Sequence, residues 1–262
     1  MNTLLKENRL EDVVDKRCTE ADLETVEAIL EIAASCTDAD DRPLMNQGTN
    51  AVQGIVLDMS KIKDMRLSPQ AFKKMYNLRL LKFSDPTWIV EQFMDYPNSH
   101  SPYHSKVYLR EGLSDLSDKL RSFIWLGYPL PALPSNFNPD NLVELDLRRS
   151  NFERLWEDTM HAPKLKWLVL SYCTRLTKIP DLSESPLIEV IDIRYCSSLL
   201  DFPPLAQHGN NLCDLFLQGC KSLRSFPSDI HFESLSYFVL RGCNNITKFP
   251  EISGNITRLD LS

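Results

Sequence analysis

The sequence predicts an α/β solenoid: a curved parallel sheet on the concave face, irregular or short helical segments on the convex side, and a small helical segment at the amino end. Three observations predict it. An apolar motif, Leu-x-x-Leu-x-Leu, restarts at Leu142, Leu165, Ile188, Leu212, Leu235 and Ile256, in steps of 23, 23, 24, 23 and 21 residues. Four of these repeats carry a cysteine three residues after the third apolar position, at Cys173, Cys196, Cys220 and Cys243. A second apolar pair then ends in proline: Leu176-x-x-Ile179-Pro180, Leu199-x-x-Phe202-Pro203, Leu223-x-x-Phe226-Pro227 and Ile246-x-x-Phe249-Pro250.

A period in the low twenties with this pattern is the signature of leucine-rich repeats. Counting the first apolar residue as position one, side chains alternate across a short strand. Positions four and six, such as Leu145 and Leu147, face a core. Positions three, five and seven face solvent on the opposite side. The cysteine packs inside the bend as a small hydrophobe, and the proline-ended half returns along the outside. A single repeat cannot bury its apolar face, so stacking on the next one completes it. Each large apolar side chain buried this way contributes roughly 1.5–3 kcal/mol, which makes the core columns outweigh any one surface feature.

Composition narrows the function classes. The 262 residues carry 36 acidic and 29 basic side chains, a formal net charge of −7, which argues against a nucleic-acid or anionic-membrane binder. Eight glycines leave little material for phosphate-cradling loops, and Gly-x-x-x-x-Gly-Lys-Ser/Thr does not occur. No cofactor or metal is expected, because the cysteines lack the close C-x-x-C pairing of zinc sites. Four of the seven form one column, which suits a buried, reduced thiol ladder. No apolar run approaches the roughly 20 residues of a membrane helix. Neither does the amino end show a signal-peptide pattern, so the expected location is cytoplasmic or nucleo-cytoplasmic. The two Asn-Ile-Thr sequons, at Asn245 and Asn255, are taken as coincidences of the repeat.

The chain divides into three parts. Residues 1–47 hold one amphipathic helix with Leu23, Val26, Ile29, Leu30 and Ala33 on a face. Residues 48–77 bring a strand at Gly54-Ile55-Val56-Leu57-Asp58, then a short helix capped by Ser68 with Pro69 at its first position, burying Phe72 and Met75. Repeats fill residues 78–262. Their first strands, Leu78-x-x-Leu81-x-Phe83 and Leu120-x-x-Phe123-x-Trp125, lie 42 residues apart, so an insertion at 84–112 interrupts the period. Its prolines 86, 97 and 102 predict a flexible loop, and His100 and His104 within it lack a helix to hold them as a metal pair.

Two resemblances follow from these residues. The run Val26-Glu27-Ala28-Ile29-Leu30-Glu31-Ile32-Ala33 with Cys36, Asp41-Arg42-Pro43 and Met45 resembles the end of a plant receptor-like kinase domain, without its catalytic motifs. From Gly48 onward, Gly54-Ile55-Val56-Leu57-Asp58, Ala71-Phe72-Lys73-Lys74-Met75-Tyr76-Asn77-Leu78-Arg79, Gly127-Tyr128-Pro129-Leu130, Leu155-Trp156 and Pro180-Asp181-Leu182-Ser183 resemble the repeat region of plant disease-resistance receptors. Those receptors join a Toll/interleukin-1-receptor-like domain, a nucleotide-binding domain and leucine-rich repeats. The resemblance implies a non-catalytic module of an intracellular immune receptor or truncated relative, acting by protein recognition or autoinhibition. Its implied partners are a pathogen effector, a guarded host protein or the receptor's other domains. The competing reading is a fragment of a receptor-like kinase with repeats, inactive by itself. A gene fusion or faulty gene model would also join the two resemblances. An extracellular receptor fits less well, since such repeats resemble Leu-x-Gly-x-Ile-Pro rather than the Cys-x-x-Leu-x-x-Phe-Pro found here.

Binding is expected on the outward columns. Position three gives Glu144, Trp167, Val190, Asp214, Tyr237 and Arg258; position five gives Asp146, Val169, Asp192, Phe216, Val239 and Asp260; position seven gives Arg148, Ser171, Arg194, Gln218 and Arg241. Aromatics beside arginines are the common anchors of protein interfaces.

Overall fold

The computed structural model describes residues 52–62, 64–86, 105–109, 112–156, 160–206, 211–228 and 230–262. The helix expected within 1–47 and the histidines at 100 and 104 lie outside these residues. Thirteen strands occur: β1 (Gly54–Asp58), β2 (Met65–Leu67), β3 (Leu80–Ser84), β4 (Val107–Leu109), β5 (Ser122–Trp125), β6 (Glu144–Asp146), β7 (Trp167–Val169), β8 (Val190–Asp192), β9 (Asp214–Phe216), β10 (His231–Phe232), β11 (Tyr237–Val239), β12 (Glu251–Ile252) and β13 (Arg258–Asp260).

Nine of them form one sheet in the order β1-β3-β5-β6-β7-β8-β9-β11-β13, with every pairing parallel. Parallel neighbours need a crossover between them, and here each crossover is the outer half of one repeat. The register follows the sequence period: Phe123, Leu145, Leu168, Ile191, Leu215, Phe238 and Leu259 align as one rung column. From Phe123 to Phe238 these side chains are at most 1% exposed. The return halves supply further columns, with Leu176, Leu199 and Leu223 fully buried and Phe202 against Phe226 at a 5.1 Å centroid separation.

Two short outer ladders also form, β2 with β4 and β10 with β12. The first corrects the expectation of a loop throughout 84–112. Ser84 ends β3, and Val107 and Leu109 return to pair with Met65 and Leu67, both burying their side chains. The alternation of Val107-Tyr108-Leu109 carries that strand; the prolines upstream hid it. The short helix expected from Ser68 is instead a chain of turns, with Ala71, Lys73 and Met75 each bonded to the carbonyl three residues earlier. Its cap is present, since Gln70 N donates to Ser68 Oγ at 3.2 Å, and Phe72 and Met75 are buried. Among the described residues the convex side carries turns and short ladders in place of helices.

Where the insertion rejoins the period, aromatic rings replace aliphatic rungs. Phe83 and Trp125 sit 4.4 Å apart and Tyr128 stands edge-on to Trp125 at 5.3 Å. Trp125 Nε1 and Tyr128 Oη are buried there without a hydrogen-bond partner.

The bend after each strand has one recurring geometry. Position eight holds Gly127, Arg149, Tyr172, Tyr195, Gly219 and Gly242, all with positive φ between 58° and 75°. In four repeats the ninth-position N–H closes a turn onto the sixth-position carbonyl, as from Cys173 to Leu170 at 3.2 Å. A turn of this kind with positive φ at its third residue favours glycine, so Arg149, Tyr172 and Tyr195 hold a backbone costing of order 1–3 kcal/mol each. Their side chains answer with a stack. The Arg149 guanidinium lies 4.3 Å from the Tyr172 ring centre, and Tyr172 stacks on Tyr195 at 4.7 Å and 23°. Tyr195 then lies over Gly219, where an added Cβ would meet the ring at 2.5 Å.

The cysteines close the bend from within. Each thiol donates to the sixth-position carbonyl of the preceding repeat: Cys173 to Leu147, Cys196 to Leu170, Cys220 to Ile193 and Cys243 to Leu217, at 3.0–3.3 Å. Cys173, Cys196 and Cys220 are fully buried and Cys243 is half-buried. Burial pushes the Cys173 and Cys196 thiols up.

Leu215→Asp is expected to destabilise the chain by about 3–5 kcal/mol through lost packing and a buried charge. Hydrogen exchange should show the damage first in β8, β9 and β11; uniform protection would contradict nearest-neighbour stacking. Gly219→Ala should cost about 1–3 kcal/mol from positive φ and the clash with Tyr195. Adding Tyr195→Ala should recover part of that loss in a denaturant titration, revealing coupling between the two sites.

Candidate functional site

The inner face of the nine-stranded sheet is where the outward columns meet. Parallel register brings Glu144, Trp167, Val190, Asp214, Tyr237 and Arg258 into one row. The fifth-position row, Asp146, Val169, Asp192, Phe216, Val239 and Asp260, runs beside it. Rows of this kind lie about 4.8 Å apart from strand to strand, so neighbouring side chains touch.

That crowding corrects the expectation that all of these positions face solvent. Asp146 is 6% exposed, Asp192 5%, Ser171 1% and Val239 7%. Trp167, Val169, Val190, Asp214, Phe216, Gln218, Glu144, Arg148 and Arg194 are half-buried, while Tyr237 and Arg241 are exposed. The two aspartates are buried because an arginine two residues on, pointing to the same side of the strand, folds back over each. Arg148 Nε donates to Asp146 Oδ1 at 2.8 Å, and Arg194 holds Asp192 through Nε at 2.9 Å and Nη2 at 2.7 Å. The backbone N–H of each arginine adds a bond to the same carboxylate. Burial opposes the charge on Arg148 and Arg194, but the adjoining carboxylates outweigh it and raise both guanidinium pKa values. Such paired, two-pronged contacts are geometrically fixed, so each Asp-x-Arg unit acts as a rigid neutral clamp on its strand. At Asp260 the partner is a serine: Ser262 donates through N at 3.1 Å and Oγ at 2.8 Å.

With the clamps neutralised, the other charges stand out. Glu144 accepts from Ser122 Oγ at 2.8 Å; burial raises its pKa, which that hydrogen bond only partly offsets, and Asp146 raises it further. Asp214 has no hydrogen-bond donor or cation on its carboxylate among the described residues, and burial alone raises its pKa. Between these acids lie Trp167 and Val190, and beyond them Phe216, with the Arg194 guanidinium 5.5 Å from the Phe216 ring centre. Glu189, at position two, is held by Lys166. The surface can therefore offer an apolar strip between carboxylates and clamped arginines. Among the described residues, no three His, Cys, Asp or Glu side chains converge to hold a metal. No described helix is long and apolar enough to cross a membrane.

The columns were readable in sequence; the Asp-x-Arg clamps and the Arg149–Tyr172–Tyr195 stack were missed. The clamps had a signal, since Asp146/Arg148 and Asp192/Arg194 recur at the same two positions. The stack had one too: glycine fills its column at 127, 219 and 242, marking a backbone that the other three residues must share.

Comparison with known proteins agrees with this geometry. A family model described as Leucine Rich Repeat matches residues 141–160. Disease resistance protein RPP2A of Arabidopsis thaliana is 39% identical over 217 residues, covering 83% of this chain and 16% of that protein. Disease resistance protein RML1A of the same plant is 33% identical, covering 82% and 20%. TMV resistance protein N of Nicotiana glutinosa is 32% identical, covering 80% and 16%. The chain thus spans about a sixth to a fifth of the length of these relatives.

A carboxylate with a raised folded pKa weakens the fold once it ionises: the unfolded state releases its proton first, so stability falls as pH rises from the ordinary aspartate range through the raised value. Asp214→Asn should therefore be more stable than the parent at pH 7, with the difference vanishing below the ordinary aspartate range. Urea titrations at pH 3 and pH 7 check this; a loss of stability at pH 7 would mean that Asp214 has a stabilising partner.

Proposed function

This chain is a leucine-rich-repeat relative of plant disease-resistance proteins across about four-fifths of its length, and on that footing we propose that it is a non-catalytic protein-binding module acting in plant defence. Binding occurs on the inner sheet face and serves recognition or autoinhibition. The partner is a pathogen effector, a guarded host protein or the other domains of an immune receptor, met in the cytoplasm or the nucleo-cytoplasmic space. The observation that carries this reading is the aromatic set on one sheet face, Trp167 and Tyr237 in the third-position row and Phe216 in the fifth, beside Asp146 and Asp192 that are already clamped. Aromatic anchors inside a water-excluding polar surround concentrate binding energy at protein interfaces. The rigid clamps keep those anchors in place, which limits the ordering cost of association.

Combining Trp167→Ala with Phe216→Ala should remove at least 2 kcal/mol of partner binding, about a thirtyfold loss, while circular dichroism and thermal unfolding stay close to the parent. Co-purification from plant tissue identifies the partner, and titration of that purified partner measures the loss. Undiminished affinity in the folded double variant would remove the inner face from the reading.

A further inference from the structure

The third-position row has a charge pattern that narrows the class of partner. In register across five strands it reads Glu144, Trp167, Val190, Asp214, Tyr237: acid, aromatic, aliphatic, acid, aromatic. The other carboxylates nearby are engaged. Asp146 and Asp192 are gripped by Arg148 and Arg194, and Glu189 by Lys166. Among the described residues Glu144 has only a serine hydroxyl as its direct hydrogen-bond partner, with Lys82 and Arg148 acting on it at longer range. Asp214 has no paired cation among the described residues. Two carboxylates are thus kept half-buried beside Trp167 and Val190 with little local compensation, an arrangement that costs folding stability and fits a positive charge arriving from outside.

The spacing sets the partner's form. Glu144 and Asp214 stand three strand intervals apart, about 14 Å. An extended chain advances about 3.3 Å per residue, so side chains four positions apart on one edge are about 13 Å apart, with one more side chain pointing the same way between them.

We infer that this row takes an extended peptide segment in which two basic residues, four positions apart, meet Glu144 and Asp214 while an apolar residue midway packs on Trp167 and Val190. This rests on the reading that the inner face is the recognition surface. The peptide runs across the strands, along the axis of the solenoid, and its next inward side chain beyond the Asp214 contact lies near Tyr237.

The test uses the full chain and two synthetic heptapeptides. One carries lysine, leucine and lysine at alternate positions between serines; its twin carries glutamates for the lysines. Fluorescence anisotropy at low salt should show the lysine peptide binding at least tenfold tighter than the twin. Glu144→Gln with Asp214→Asn should erase that preference, and Trp167→Ala should weaken the lysine peptide at least fivefold. Equal binding of the two peptides, binding indifferent to the double charge variant, or binding of neither peptide would overturn the inference. Equal binding that still falls with Trp167→Ala would leave the inner face as the recognition surface while removing the basic partner. Native circular dichroism of each variant secures the comparison, and neutralising two half-buried carboxylates is not expected to unfold the chain.

Discussion

Everything in this molecule depends on repeats stacking in register. A strand of three residues and its return loop cannot exclude water alone, so each apolar rung is completed only by the one before and the one after. Leu168, Ile191 and Leu215 are each sealed in this way. The backbone obeys the same constraint, since parallel strands must send their hydrogen bonds to the adjacent repeat. The thiols do so as well, each reaching the preceding repeat's carbonyl. A one-residue slip would move every rung to the opposite face, and so the period tolerates only small changes in length.

The core columns were legible in sequence because the period repeats them. Leu142 to Leu261 state the same pattern six times, and agreement among copies overrides the ambiguity of any single short strand. The insertion is stated once, so its Val107-Tyr108-Leu109 strand had no second copy to mark it. The turn from Ser68 was misjudged because a cap and a proline suit a helix start and a run of tight turns equally. The inner sheet face was legible as columns but not as chemistry. Sequence places Asp146 and Arg148 on the same side of a strand, but only the folded geometry shows that the arginine closes over the aspartate and withdraws both from solvent competition. The positive φ at Tyr172 and Tyr195 was signalled only by the glycines sharing their column, not by the tyrosines themselves, which rarely accept it and are held by their own stack.

The two faces divide the work. Inside, large apolar side chains supply the stabilisation, and the cysteines fill the bend while donating to the preceding repeat's carbonyl. On the inner sheet surface, neutral clamps fix Arg148 and Arg194 beside their aspartates, and Trp167, Phe216 and Tyr237 keep part of their aromatic surface exposed. Glu144 and Asp214 run against folding stability, since burial opposes their charge. Local costs of that kind are expected where a surface is shaped for a partner. The fold serves as a scaffold that fixes the spacing of side chains across strands.

Nuclear Overhauser contacts between adjacent strands measure the stacking register directly. The account requires contacts between Leu168 and Ile191, between Ile191 and Leu215, and between Leu215 and Phe238, each in the parallel pattern. Antiparallel contacts, or a pairing displaced by even one residue along any of these strands, would contradict it.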